Sequence, residues 1–403
     1  MIPASPNTRI TPIARIAPFA VIDVSALSPP AQKILSASAP PKLKEMAARG
    51  IAPGIRPAEM ISVLALLAGE TGGETGGETG GETGGSIAEI ADKTLSALPE
   101  QLLAGALSSD LHPASIDALA TRYAARLDVV EKLLGMPRIH ADTVAELART
   151  GSEAVTELVA TNEERLLANP RIIERLYMNK STRVSTSDRL VDLAARNGVE
   201  LSGIPAWKEA TAAIEGELIP EPSEDPTPDD VLFKETQLIS EKLSSASAND
   251  EDTHIEPEPG REEVKEKFLP LYKRIAQMTM SQKIRRAMIG SREERMLLVR
   301  DANRVVASAA VRSPLLQEPE VVLIARNRNV SDEVLRVIGS SPEWMKSYAV
   351  KKNLVENPKT PPSIATKLVQ HLRENDLRQL SRSKNVTGVV QEAARRHLSR
   401  RDT

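Results

Sequence analysis

A spacing of 28 residues recurs in two separate parts of this chain. Asn329-Val330, Asn357-Pro358 and Asn385-Val386 stand 28 apart, with Asp301-Ala302 one step earlier. Ser313-Pro314 and Ser341-Pro342 fall midway. In the N-terminal part, His112-Pro113 with Ile116 and Leu119 is echoed by His140-Ala141 with Val144 and Leu147, and Ala168-Asn169-Pro170 continues the register. A unit this short cannot bury its own apolar face and must pack on its neighbours, so a fixed period of this size marks a stacked array. Each unit has room for two helices of about ten residues joined by short turns. The expected fold is all-α: two α-solenoid segments joined by an acidic disordered linker.

Composition agrees with that architecture. Aromatic residues make up only 2% of the chain while the hydrophobic fraction is 41%, which suits many small aliphatic contacts rather than one large aromatic core. There is no cysteine, which excludes disulfides, thiolate metal sites and cysteine nucleophiles. No apolar run reaches the roughly 18 residues of a membrane helix. Prolines at positions 3, 6, 12 and 18 do not fit a signal-peptide layout. The sequence therefore reads as a cytoplasmic protein without membrane insertion.

Charge divides the chain. Residues 1–260 hold 23 basic and 39 acidic residues, and residues 261–403 hold 29 and 16. The expected organisation is a Pro-rich, mostly disordered arm (1–55), an N-terminal helical repeat domain (56–215), an acidic disordered linker (216–260) and a basic helical repeat domain (261–403). Four tandem Gly-Glu-Thr-Gly copies form an expected flexible loop at 69–85, since glycine at half the positions opposes a helix. Met60, Val63, Leu64 and Leu67 form a helical stripe, as do Ile364, Leu368, Val369 and Leu372. Ser115, Thr143 and Thr360 are expected helix caps. Within the linker, Val231, Leu232, Leu238, Ile239 and Leu243 align on one side of a short helix and are a candidate docking motif.

The stretch Leu354-Val-Glu-Asn-Pro-Lys-Thr-Pro361, followed by Leu368 and Leu372, resembles the bacterial leucine-rich-repeat variant. There an Asn-Pro-x-Thr-Pro turn leads into a leucine-bearing helix. More broadly the chain is similar to HEAT-like α-solenoids, and Leu166-Leu-Ala-Asn-Pro170 is a partial second match. The period of 28 is longer than the variant repeat and shorter than a HEAT unit. The cysteines that ligate the iron–sulfur cluster in the founding member are missing, so the resemblance implies an interaction role without a cofactor.

None of the five histidines sits in a metal-ligand spacing, and no carboxylate pair stands isolated in apolar surroundings. An enzymatic role is not expected. His112 and His140, and the asparagines 329, 357 and 385, are assigned to turns and caps. The strongest candidate interaction surface is the basic cluster Lys283, Arg285, Arg286, Arg292, Arg295, Arg300 and Arg304, whose i,i+3 and i,i+4 spacings share a helix face. The primary expectation is a scaffold or adaptor that binds protein partners. The alternative is a nucleic-acid-binding solenoid that grips phosphates through residues 261–403. The near absence of aromatics there argues against single-strand recognition. The acidic linker is itself a candidate occupant of the basic domain.

Overall fold

The computed structural model describes residues 22–69, 83–215, 219–246, 253–258, 261–383 and 385–401. Most of the Gly-Glu-Thr-Gly stretch, and residues 1–21 of the Pro-rich arm, lie outside that range. The described residues form 24 α-helices, three single-turn 3-10 helices and one antiparallel hairpin that pairs His254–Glu258 with Arg261–Val264. No described helix is long and apolar enough to cross a membrane. The chain divides into two compact units, Met1–Val159 and Ala160–Thr403.

In the first unit the stripe Met60, Val63, Leu64 and Leu67 is buried. It places the Pro57–Gly69 helix against Glu100–Leu107 and Pro113–Arg122. The pattern continues by alternation. Pro113–Arg122 touches Ala141–Thr150, and Leu127–Leu134 touches Glu153–Val159. The helices after His112 and His140 are capped by those histidines, whose Nδ1 atoms accept from the Ala114 and Asp142 amides at 3.2 and 3.3 Å. Ser115 and Thr143, the expected caps, are instead buried inside those helices. Residues 29–48, expected in a disordered arm, form the helices Pro29–Leu35 and Pro41–Ala48. Their prolines occupy the first turn, where a missing amide costs nothing. Ala31, Ile34, Ala47 and Ala48 are buried, and both helices pack on Pro57–Gly69.

The second unit begins before the expected linker. Pro170–Met178 and Trp207–Ile214 both lie against Met280–Ile289. From there alternate helices touch: Met280–Ile289 with Arg304–Val311, Arg304–Val311 with Asp332–Ser340, Glu318–Arg326 with Tyr348–Glu356, and Pro362–Val369 with Gly388–Arg401. The alternate helices start at Met280, Arg304, Asp332, Pro362 and Gly388, so the repeat length varies around the 28 of the sequence. Asn327 and Asn357 each cap the C-terminus of a helix and accept from the amide two residues on, at 2.7 and 3.0 Å. Thr360 lies one residue before the Pro361 cap of Pro362–Val369 and does not cap it. The stripe of that helix is partly buried at Ile364 and buried at Leu368, Val369 and Leu372.

Where an acidic disordered linker is expected, residues Pro228–Ala246 form a 19-residue helix. It packs on Val184–Arg196, Leu269–Gln277 and Arg292–Leu298. The face that docks is not the apolar set. Asp230, Phe233, Thr236 and Ser240 are buried, while Val231 and Leu238 are 46% and 51% exposed. Leu232, Ile239 and Leu243 are half-buried. Polar bonds set this orientation. Asp230 accepts from the Ser185 amide at 2.9 Å and its hydroxyl at 2.8 Å, while Ser240 bonds Ser291 at 2.5 Å and Ser244 donates to Glu293 at 2.6 Å.

Candidate functional site

The structure corrects the basic cluster as a surface. Arg285, Arg286 and Arg295 are buried. Arg285 donates to the carbonyls of Tyr177, Asn179 and Thr182 at 3.1, 3.0 and 2.9 Å, and burial pushes its pKa down to about 10. The Arg286 guanidinium lies 3.8 Å from the centre of the Phe233 ring and donates to the Phe233 carbonyl. Its Nε is 3.3 Å from Glu294 Oε1. Burial lowers the Arg286 pKa and raises that of Glu294, as expected where desolvation outweighs the attraction of the pair. Arg295 grips both Glu320 oxygens at 2.9 Å. Lys283 pairs with Asp301 at 3.1 Å and Arg300 with Glu262 at 2.9 Å. Arg292 is half-buried and Arg304 exposed. Arg292 and Arg295 share one helix, Arg292–Leu298, but Arg300 and Arg304 flank the turn that follows it and share no helix face, and much of the cluster lies beneath neighbouring elements.

What remains outside is assembled from three turns. A polar cavity of about 530 Å³ opens among Arg300, Asp301, Arg304, Asn329, Asp332 and Lys359, with Ser331 at its wall. Local bonds fix each turn. Asp301 accepts from the Asn303 amide at 2.8 Å, and Asn303 accepts from the Val305 amide at 2.9 Å to start the Arg304–Val311 helix. Asn357, buried, donates to the carbonyls of Ala325 and Asn327 at 2.9 and 2.8 Å while accepting from the Lys359 amide. Ser331 caps the Asp332–Ser340 helix.

One wall is braced from the hairpin. The Arg300 side chain is 7% exposed and is held by Glu262 at 2.9 Å, the Thr253 hydroxyl at 3.2 Å and the Met296 carbonyl at 3.1 Å. Glu262 also accepts from Asn327 at 3.0 Å, so a single carboxylate joins two cavity turns. Asp301 has its charge matched by Lys283. Arg304 and Lys359 are exposed, and among the described residues neither is held in an ion pair.

Of the sequence candidates, Arg300 and Arg304 reach this cavity and Lys283 supports it through Asp301. Asn329 lines it, whereas Asn357 is consumed in bracing the turns. Lys359, which also lines the cavity, stands two residues after the repeat asparagine in the Asn-Pro-Lys-Thr-Pro turn, the one sequence signal for it. Among the described residues no cluster of three His, Asp or Glu side chains is arranged to hold a metal ion. The chain matches no known protein family, no curated protein and no solved structure.

Proposed function

We propose that this chain is a non-enzymatic helical-repeat scaffold of the α-solenoid kind, working in the cytoplasm. In this reading it holds a protein partner along the turn edge of the Ala160–Thr403 unit. The observation that carries the reading is the cavity at that edge, built from three alternate turns and braced by Glu262 before any partner arrives. Contacts between alternate helices support the resemblance to leucine-rich-repeat-variant and HEAT-like arrays. The acidic helix Pro228–Ala246 is then part of the scaffold body, tied by Glu235 to Arg274 at 2.9 Å.

A photo-crosslinking residue at Arg328, exposed on the turn edge, tests the idea against one at exposed Gln370 in another turn. Crosslinking in the host should give a discrete protein adduct from position 328 and none from position 370. Equal labelling, or none from 328, counts against a partner at this edge. Nucleic acid is the second reading, supported by exposed Arg304, Arg328 and Lys359. It requires binding to duplex DNA that weakens steeply with salt.

A further inference from the structure

We propose that the cavity between Arg304 and Lys359 binds the phosphate monoester of a phosphorylated protein side chain. The proposal names the chemistry of the partner at the turn edge and so rests on the scaffold reading. Its volume of about 530 Å³ falls in the range of small-ligand sites and is ample for a single substituted phosphate. A phosphate monoester carries close to two negative charges at neutral pH and three acceptor oxygens. The cavity offers charge and donors of the matching kind. Arg304 supplies a guanidinium that can meet two oxygens at once, and Lys359 supplies an ammonium. Arg300, its charge matched by Glu262 and its guanidinium held by Thr253 and Met296, shapes the wall beside them.

The carboxylates in the same wall decide which phosphate fits. Asp301 is matched by Lys283, and Asp332 stands 3.9 Å from Arg336. A nucleic-acid strand presents a row of phosphates, and those flanking the seated one would approach Asp301 and Asp332. A peptide presents one phosphate flanked by neutral amides, and there Asp332, Ser331 and Asn329 become hydrogen-bond partners for its backbone. The mixed wall therefore favours an isolated phosphate over a polyanion.

The experiment titrates the full chain with phosphoserine, serine and a duplex DNA oligonucleotide, reading the backbone amides of Asn329, Ser331 and Lys359 by NMR. These titrations need no partner, so a failure here leaves the crosslinking result standing, and the reverse also holds. Phosphoserine should give saturable shifts with a dissociation constant on the order of 1 mM, as suits a small fragment of the ligand. Serine should give none. Arg304→Ala and Lys359→Ala, both at exposed positions, should each weaken binding by about tenfold, the loss of one charge-assisted contact. Asp332→Asn should strengthen binding of the duplex more than that of phosphoserine. Shifts that do not saturate, that serine reproduces, or that survive Lys359→Ala overturn the proposal. Tighter binding of the duplex with the same sensitivity to Lys359→Ala overturns it in favour of nucleic acid.

Discussion

At the scale of single residues, the second unit keeps charge inside itself. Arg286 and Glu294 form a buried pair at 3.3 Å. Replacing one partner strands the other in a dry environment, while replacing both removes the desolvation cost together with the attraction. Glu294→Ala should lower unfolding free energy by about 3–5 kcal/mol. The double variant Arg286→Met with Glu294→Met should recover most of that loss. Urea denaturation of the three chains checks this, and a double variant as unstable as the single one would show the pair to be net favourable. His112 offers a pH test. Burial, aided by Arg138, holds its pKa below the ordinary 6.5, and its Nδ1 must be unprotonated to accept from Ala114. Since the folded value is the lower one, the unfolded chain takes the proton first as pH falls. The stabilisation is therefore complete above the ordinary value and is lost below it. The drop in melting temperature between about pH 7.5 and about pH 5.5 should shrink in His112→Asn, because asparagine caps without titrating.

At the scale of elements, the helix Pro228–Ala246 shows why an apolar pattern alone does not give a docked face. Its leucines promise one side, but Asp230, Ser240 and Ser244 find partners on the other, and Phe233 lies against two arginines. Phe233→Ala should cost about 3–5 kcal/mol through the cavity left behind. Leu238→Glu, at an exposed site, should stay within about 0.5 kcal/mol. Thermal melts that reverse this order would restore the apolar face as the docked one. Glycine marks another close approach: a Cβ on Gly339 would lie 2.7 Å from Ile364 Cγ2. That close approach sets the Asp332–Ser340 helix beside Ile364 of Pro362–Val369, and a larger residue at 339 would force one of them to shift.

At the scale of the whole molecule, contacts run mainly between neighbouring elements, so damage should stay near its source. Leu368 is buried at 8% exposure. Leu368→Asp places an unpaired carboxylate there, which costs several kcal/mol, roughly 2–7 on the scale of buried polar groups. Hydrogen exchange should quicken across 348–401 while Pro170–Met178 remains protected. Uniform quickening throughout 160–403 would mean the unit unfolds as one body. The stripes at 60–67 and 364–372 were legible because helical period is local, whereas the caps of the two histidine helices were expected at Ser115 and Thr143 and fell three residues earlier, at His112 and His140. The cavity was not legible, because the Arg300–Arg304 turn, the turn of Asn329 and Asp332, and the turn of Lys359 are separated in sequence. The burial of Arg285, Arg286 and Arg295 was not legible either, since spacing assigns a face but not what covers it.

The sequence by itself determined the helical character, the buried stripes and the lack of cysteine. Each follows from residue type and short-range spacing. Tertiary structure alone decided which cations lie inside, which face of the acidic helix docks, and which turns meet around Arg304 and Lys359. Those outcomes depend on elements far apart in the chain competing for the same polar groups.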